Sequence, residues 1–333
     1  MNSKERAWRA LKKEPVDRPS VLCVNSTATK SLLEEAGLYL PEVHQKAEPM
    51  AELALGAYQI FGFDVVRVPF CQTIEAEALG CKVNYRDFIP RTEEALYTLE
   101  DIPRFPEEFL SLGRIPELLR AANLLKRMVG EEALVLGGVV GPLTIARSLL
   151  DSVPLLKASV KTPDRIRPFL EVGNRAASRM AKALLEAGAD AIVIEDMAAS
   201  PDLLHPKTYK TMVVHYHQRL IESIHGMVIL HICGDITPVA EEMARTKAGS
   251  LSIEPKAATS IVRAKIGQES VLIGGIDAPS LFFSTPTEIR SISLKALQEG
   301  IDLLAPGCSI PPNAPTENLK AMVQAAIDFG KQW

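Results

Sequence analysis

A histidine and a cysteine stand at the end of one strongly apolar stretch of the sequence. Residues 227–235 read Met-Val-Ile-Leu-His-Ile-Cys-Gly-Asp, which places His231 and Cys233 two positions apart. Side chains two apart on a strand point to the same face, and bonds of about 2.0–2.3 Å let an imidazole nitrogen and a thiolate share one zinc ion. Gly234 then ends the strand and leaves room for a ligand near the backbone. Taken alone, such a pair more often belongs to a hydrophobic core than to a metal site.

Two other apolar stretches also end in side chains that can bind metal. Residues 301–308 end in Cys308, and residues 250–254 end in Glu254. With the first stretch, they supply nitrogen, sulfur and oxygen donors, the ligand types that zinc accepts. The sequence therefore predicts a metal site that joins the ends of three separate strands.

The composition excludes several classes of protein. The 333 residues are 47% hydrophobic and 23% charged, which is typical of a globular chain. The formal net charge of −4 and the scattered basic residues give no basic surface for nucleic acid, and without a run of 18 apolar residues we expect no membrane span. The five cysteines are too few and too scattered for a disulfide framework, and the charged N-terminus lacks a signal-peptide core. We expect a cytoplasmic protein, in which free thiols can hold metal.

Strand-like runs alternate with helical sequence along the chain. Residues 4–13 form a short N-terminal helical extension, and residues 82–115 are a polar, Pro-rich excursion that could hold a small hairpin. Eight apolar strands separated by helices predict one domain over residues 1–333, a closed parallel TIM (β/α)8 barrel of the α/β class. The C-terminal ends of the strands form the active-site face of such barrels, and the candidate ligands stand there. The eight runs are residues 21–25, 62–69, 133–140, 191–196, 227–235, 250–254, 271–276 and 301–305.

At these residues the sequence resembles the uroporphyrinogen decarboxylase superfamily and, within it, the zinc-dependent methylcobamide:coenzyme M methyltransferases. The resemblance covers nearly the whole chain. Its most specific parts are Leu-His-Ile-Cys-Gly at 230–234 and Leu-Ala-Pro-Gly-Cys at 304–308, because that family binds zinc through a His-x-Cys pair and a distant cysteine. The other matching stretches are Glu-Pro-Val-Asp at 14–17, Val-Arg-Val-Pro-Phe-Cys at 66–71, Gly-Pro-Leu-Thr at 141–144 and Ala-Ser-Pro-Asp-Leu at 199–203.

The resemblance implies a zinc ion on His231, Cys233 and Cys308, and a methyl group that moves from a methylcobamide to a thiol, coenzyme M. The sequence shows no corrinoid-binding domain, so the methylcobamide is expected on a separate corrinoid protein. The chemistry fits these residues independently. A thiol with a pKa of about 8.5 is mostly protonated at pH 7, although the thiolate is the nucleophile. Zinc with three protein ligands keeps a fourth position open, and a thiol that enters it is deprotonated.

Two carboxylates are candidates for catalytic roles. Glu254 could be a fourth zinc ligand that leaves when the thiol arrives; alternatively it bonds to nearby backbone or to Lys256. Glu195 and Asp196 end the fourth strand, and only one of two adjacent residues can face the barrel mouth. Asp196 matches the family pattern better. We expect it to orient a ligand or to contact the corrinoid, and a structural role in the turn is the alternative.

The start of the last helix is a candidate anion site. Asn313 and Thr316 follow the eighth strand, helix N-termini bind anions, and barrels often bind phosphate at this corner. A sulfonate tail, such as that of coenzyme M, could lie there. Ordinary N-capping by either residue is the alternative.

Three other reactive residues are interpreted first as structural. Cys71 is expected to pack as a small apolar residue, with a place in the pocket wall as the alternative. Arg67 is expected in an ion pair rather than against an anionic substrate. His217 is expected on a helical surface.

Three further functions compete with thiol methylation. The first is porphyrinogen decarboxylation, which needs no metal and is disfavoured by the four donors. The second is corrinoid-dependent methyl transfer to a different acceptor, such as a folate. The third is a non-catalytic zinc-bound scaffold or corrinoid sensor, which an open coordination position would exclude.

Overall fold

A curled parallel sheet forms the centre of the protein. The computed structural model describes residues 1–331. Within them, seven parallel strands lie in the order β1-β4-β5-β6-β7-β8-β9, and β2 and β3 form a separate antiparallel hairpin. The strands are β1 (Val65–Val68), β2 (Val83–Asn84), β3 (Arg91–Thr92), β4 (Leu134–Val140), β5 (Ala191–Glu195), β6 (Met227–His231), β7 (Ser250–Ser252), β8 (Val271–Ile276) and β9 (Leu303–Pro306).

Helices follow most of the strands and cover the outside of the sheet. Short 3₁₀ turns occupy Phe109–Ser111, Pro163–Arg165 and Met197–Ala199, and a π-helical turn occupies Tyr209–Val213. The α-helices are α1 (Ser3–Leu11), α2 (Lys30–Ala36), α3 (Glu42–Gln45), α4 (Ala47–Gln59), α5 (Ile74–Ala78), α6 (Ile115–Val129), α7 (Pro142–Leu149), α8 (Ser152–Lys161), α9 (Arg167–Ala187), α10 (Pro206–Thr208), α11 (Val214–Ser223), α12 (Ala240–Arg245), α13 (Thr259–Ile266), α14 (Ala278–Phe283), α15 (Pro286–Gln298) and α16 (Thr316–Gly330).

The barrel closes through a segment that is not a strand. Val21 forms a single parallel bridge to Leu304 of β9. Its carbonyl accepts a hydrogen bond from the Asp64 amide at 2.8 Å, on the side of β1. The strand predicted at residues 21–25 is therefore wrong, although the segment fills the eighth position of the predicted barrel. Beyond it, Ser26 bonds locally to Cys23 and Ala28, and such local bonds compete with a sheet ladder.

Apolar side chains fill the inside of the barrel. Strands such as β4 and β5 are buried along their whole length, as expected when helices cover the outer face and packed side chains fill the interior. An inner cluster of Leu136, Val193, Ile229 and similar residues is continuous with Leu11 of α1. The N-terminal helix therefore closes the end of the barrel opposite the predicted active-site mouth.

Several predicted elements have different bounds in the structure. The hairpin predicted within residues 82–115 is present as β2 and β3. The sequence also predicts helices over residues 115–129, 175–187 and 207–225, and α6 has the predicted ends. The helix predicted at 207–225 is divided by the π-helical turn, α9 begins eight residues earlier than the predicted Arg175, and α14 was not predicted. No helix within residues 1–331 combines the length and the hydrophobicity that a membrane crossing requires.

Asp64 is a fully buried carboxylate beside the closure of the barrel. It accepts hydrogen bonds from Arg6 of α1 at 2.8 Å and from Arg18 at 3.0 Å. It also accepts from the Val21 amide at 2.9 Å. One side chain thus links the N-terminal helix, the eighth position of the barrel and β1.

Asp64→Ala should lower the free energy of unfolding by about 3–5 kcal/mol, because it leaves Arg6 and Arg18 without their buried partner. Denaturant unfolding measures the change. Glu171→Ala, which removes an exposed ion pair with Arg219, is the control and should have a much smaller effect. Equal effects of the two substitutions would contradict the role of Asp64.

Candidate metal centre and the cavity beside it

The structure brings His231, Cys233 and Cys308 together at the mouth of the barrel. His231 is the last residue of β6, Cys233 lies two residues beyond that strand, and Cys308 lies two residues beyond β9. The His231 Nε2 atom is 3.2 Å from the Cys233 sulfur, which is 3.7 Å from the Cys308 sulfur. One ligand atom from each residue lies within 4.8 Å of the other two.

The donor set and its orientation fit a zinc ion. His231 is fully buried, and its Nδ1 atom is 3.0 Å from the Ser252 hydroxyl of β7. When Nδ1 donates to this oxygen, the Nε2 lone pair faces the two sulfurs, as in zinc sites whose ligating histidine is oriented by a second hydrogen bond. Both cysteines are partly exposed, which leaves one side of the cluster open to a further ligand.

The two thiols of the cluster titrate as a pair. The hydrogen bond from Cys233 lowers the pKa of Cys308 to about 4 against the effect of burial, and His231 adds to the lowering. The same hydrogen bond, burial and nearby Glu254 raise the pKa of Cys233. One sulfur is therefore favoured as the thiolate while the other keeps its proton, and a zinc ion that displaced this proton would balance the charge of two thiolates.

Glu254 lies beside this cluster, beyond the end of β7. Its carboxylate acts on Cys233 through a hydrogen bond and through its charge, and a Cβ atom on Gly307 would lie 3.0 Å from the Glu254 Cα atom. Within residues 1–331, the cluster with metal-ligand spacing contains only the histidine and the two cysteines. Lys256, the alternative partner of Glu254, bonds to Asp202 instead, at 2.7 Å. A ligand role for Glu254 stays a prediction.

Gly234 has a packing role. Its φ angle is +81°, a region that favours glycine. A Cβ atom at this position would lie 2.6 Å from the Ser200 hydroxyl and 2.5 Å from an Asp202 oxygen. The space predicted for a ligand beside Gly234 is thus taken by the loop that follows β5.

A cavity of about 540 Å³ adjoins the cluster, and Cys308 lines it. The ends of β1, β5 and β9 form one wall, and residues 89–95 with the start of α8 form another. On its lining lies a buried ion pair between Arg67 and Glu195, as predicted for Arg67. Gln72 at 2.7 Å and Asn25 at 2.9 Å also donate to Glu195.

Glu195, rather than Asp196, faces this cavity. The Asp196 carboxylate is fully buried and accepts hydrogen bonds from the Thr144 amide at 2.8 Å and the Thr144 hydroxyl at 2.7 Å, at the start of α7. It is also 2.8 Å from His217 Nε2. His217 is itself fully buried against Tyr209, so its predicted surface position is wrong. Asp196 thus stabilises the helix that follows β4.

The predicted anion site at the last helix lies outside the cavity lining. Asn313 is exposed, and the Thr316 hydroxyl donates to Ser31 at 3.1 Å. The N-cap of α16 is Pro315, without a side-chain capping bond, so neither residue caps the helix as the alternative proposed.

Sequence reasoning also missed Gln72 and Asn25, the two residues that donate to Glu195. The only sequence signal for either was its position as a polar residue just beyond an apolar run.

The fold is a closed α/β barrel, and three potential metal ligands, one histidine and two cysteines, lie at its C-terminal mouth. This combination is typical of barrel enzymes with a catalytic metal site. The chain belongs to the uroporphyrinogen decarboxylase (URO-D) family, whose model matches residues 2–329.

Three relatives are similar over nearly their full lengths. The methylcobamide:CoM methyltransferase MtaA of Methanosarcina barkeri is 35% identical over 98% of both chains. The methylcobamide:CoM methyltransferase MtbA of Methanosarcina acetivorans is 31% identical over 98% of both chains. A solved methyltransferase structure from Methanosarcina mazei superposes with a TM-score of 0.94 at 35% identity, covering 99% of both chains.

Ser252→Ala should weaken zinc binding by about 10–100-fold, because His231 loses the hydrogen bond that orients its ring. Competition with a zinc chelator measures the affinity. Ser250→Ala is the matched control: Ser250 lies on the same strand, is buried and has no hydroxyl partner within residues 1–331. If the two variants bound zinc equally well, the proposed orientation of His231 would be wrong.

Proposed function

We propose that this protein is a zinc-dependent methyltransferase that moves a methyl group from a methylated corrinoid protein to a small thiol, coenzyme M. The observation that carries the proposal is the cluster of His231, Cys233 and Cys308, open on one side and adjoining a cavity of about 540 Å³. The names of the relatives at 35% and 31% identity support the reaction and the acceptor.

The three ligands have distinct tasks. His231 would hold the metal through Nε2, with its ring fixed by Ser252, and the two cysteines would hold it through sulfur. A zinc ion bound there supplies positive charge that stabilises an entering thiol as its thiolate. The transfer then forms a carbon–sulfur bond and breaks the bond between the methyl group and the corrinoid, so alignment and exclusion of water are the main tasks of the chain.

The cavity supplies the place for the thiol. Cys308 lines it at one end, and the Arg67–Glu195 pair lies on its wall. The barrel mouth is the side from which a separate corrinoid protein would deliver the methyl group.

Asp196 has an indirect part in this proposal. Through Thr144 it fixes the start of α7, and the end of α7 contributes Arg147 and Ser148 to the cavity lining. We therefore assign Asp196 a positioning role, in which it acts on the cavity through α7. Its neighbour Glu195, which pairs with Arg67, is the carboxylate at the cavity.

The reaction is tested with the zinc-loaded chain and free methylcobalamin as the donor. We expect coenzyme M to demethylate the cobalamin, which absorption spectroscopy follows, and tetrahydrofolate to do so poorly. Cys233→Ala and Cys308→Ala should lose most zinc and nearly all transfer, because each removes a thiolate ligand. Cys81→Ala, which alters a buried thiol outside the cluster, is the control. Transfer that is unchanged in both ligand variants would refute the zinc site, and transfer to folate alone would refute the thiol acceptor.

Glu254→Gln tests whether this carboxylate is an exchangeable ligand. In the unchanged protein, X-ray absorption at zinc should show one sulfur gained and one oxygen lost when coenzyme M is added, because the thiolate takes the position of the carboxylate. In the variant, the resting spectrum should change more than the thiol-bound spectrum. An unchanged number and type of ligands in the unchanged protein would exclude the exchange.

A further inference from the structure

A second reactive thiol lines the cavity and has no part in the proposed zinc chemistry. Cys71 lies three residues beyond β1 and is 6% exposed, on the cavity lining. It is outside the cluster of His231, Cys233 and Cys308. A buried cysteine alone would be ordinary packing, so its surroundings decide its role.

Two side chains donate hydrogen bonds to the Cys71 sulfur. Arg114 Nη1 is 3.5 Å from it, and the Thr73 hydroxyl is 3.4 Å from it. The guanidinium is held in place, because it also donates to the Thr73 hydroxyl at 2.7 Å, to Glu77 at 2.6 Å and to the His44 carbonyl at 3.0 Å. A fixed positive charge and a hydroxyl donor therefore meet at one sulfur, and both favour the thiolate.

The His44 ring provides a proton acceptor for this thiol. The ring is 2% exposed, and its Nε2 atom is 3.0 Å from the Phe88 carbonyl oxygen. Because a carbonyl only accepts, Nε2 carries the hydrogen, and the lone pair of a neutral ring is on Nδ1. Nδ1 is buried and has no nitrogen or oxygen partner for a hydrogen bond within residues 1–331. The His44 ring acts on the Cys71 sulfur through a hydrogen bond and through its charge, so this buried nitrogen is where the thiol proton can go, as in other activated thiols.

The pKa values of Cys71 and Cys81 differ in the direction that the groups around Cys71 require. Burial would raise the pKa of Cys71, but Arg114, His44 and Thr73 lower it to about 6. Burial raises the pKa of Cys81 to about 11, where no such group opposes it.

We propose that Cys71 is a modification site for low-molecular-weight disulfides that enter the cavity. In the reaction, the Cys71 proton passes to His44 Nδ1, and the sulfur attacks one sulfur of the disulfide. The bond between the two disulfide sulfurs breaks as the bond to Cys71 forms. The leaving thiolate takes the proton from His44, so a thiol and a disulfide give a mixed disulfide and a free thiol.

The consequence is a reversible block of the cavity. An adduct on Cys71 occupies space that also reaches Cys308, so it competes with any acceptor that approaches the metal centre. The proposal rests on Cys71, His44, Arg114 and Thr73, and it holds whether or not the barrel transfers methyl groups.

The test uses the zinc-loaded chain and hydroxyethyl disulfide, with peptide mass spectrometry to report each cysteine separately. At pH 7 we expect Cys71 to gain the hydroxyethylthio group at least about tenfold faster than Cys23 or Cys81, because Arg114 and Thr73 donate to its sulfur and favour formation of the thiolate. A dithiol reductant should remove the adduct, and the zinc content should stay constant throughout. Preferential reaction of Cys81, or no adduct on Cys71, would overturn the proposal.

His44→Gln separates activation from packing. Glutamine can still donate to the Phe88 carbonyl but cannot take a proton, so the labelling rate of Cys71 should fall at pH 7 and recover at higher pH. The titratable groups that act on this sulfur, besides His44, are Arg114, Arg67, Glu75 and Tyr85, and the variant leaves all of them in place. Thr73→Ala should shift the profile in the same direction by a smaller amount, and Cys81→Ala should leave it unchanged. An unaltered pH profile in both His44→Gln and Thr73→Ala would overturn the assigned activation.

Discussion

The arrangement of the functional residues depends on how the barrel closes between β9 and β1. The closing segment has one bridge, at Val21, instead of a ladder of backbone hydrogen bonds. The buried Asp64 carboxylate adds a hydrogen bond to this segment, which it accepts from the Val21 amide. Cys308 follows β9, whereas Arg67 lies on β1. The cavity is therefore built across the closure, which the buried ion pairs of Asp64 at the other end of the barrel stabilise.

The direction of parallel strands explains why the meeting of the three candidate metal ligands could be predicted. Residues 231 and 308 are far apart in sequence, yet the C-terminal ends of all strands meet at one mouth. Alternation of apolar runs and helices was enough to place them there. The same reasoning failed at residues 21–25, because the sequence pattern of a strand does not reveal that local Ser26 hydrogen bonds replace the ladder beyond Leu22.

The roles of adjacent carboxylates could not be predicted from sequence. Glu195 and Asp196 necessarily point to opposite sides of β5, but which one faces the cavity depends on the rotation of the strand within the barrel. Arg67 and the start of α7 decide it, since each provides donors for one carboxylate. His217 was misjudged for a related reason: its helix is interrupted by the π-helical turn, which no periodicity in the sequence indicates.

The candidate metal ligands and the opposite wall of the cavity come from different parts of the chain. The candidate ligands lie between residues 231 and 308, whereas most of the opposite wall comes from residues 89–95 and 147–152. The hairpin has only two residues in each strand, and it lies apart from the barrel sheet. Substitutions in the hairpin change the cavity wall without altering the three candidate metal ligands. Related barrels can therefore differ in the size and charge of the acceptor that they bind, while the ligands stay the same.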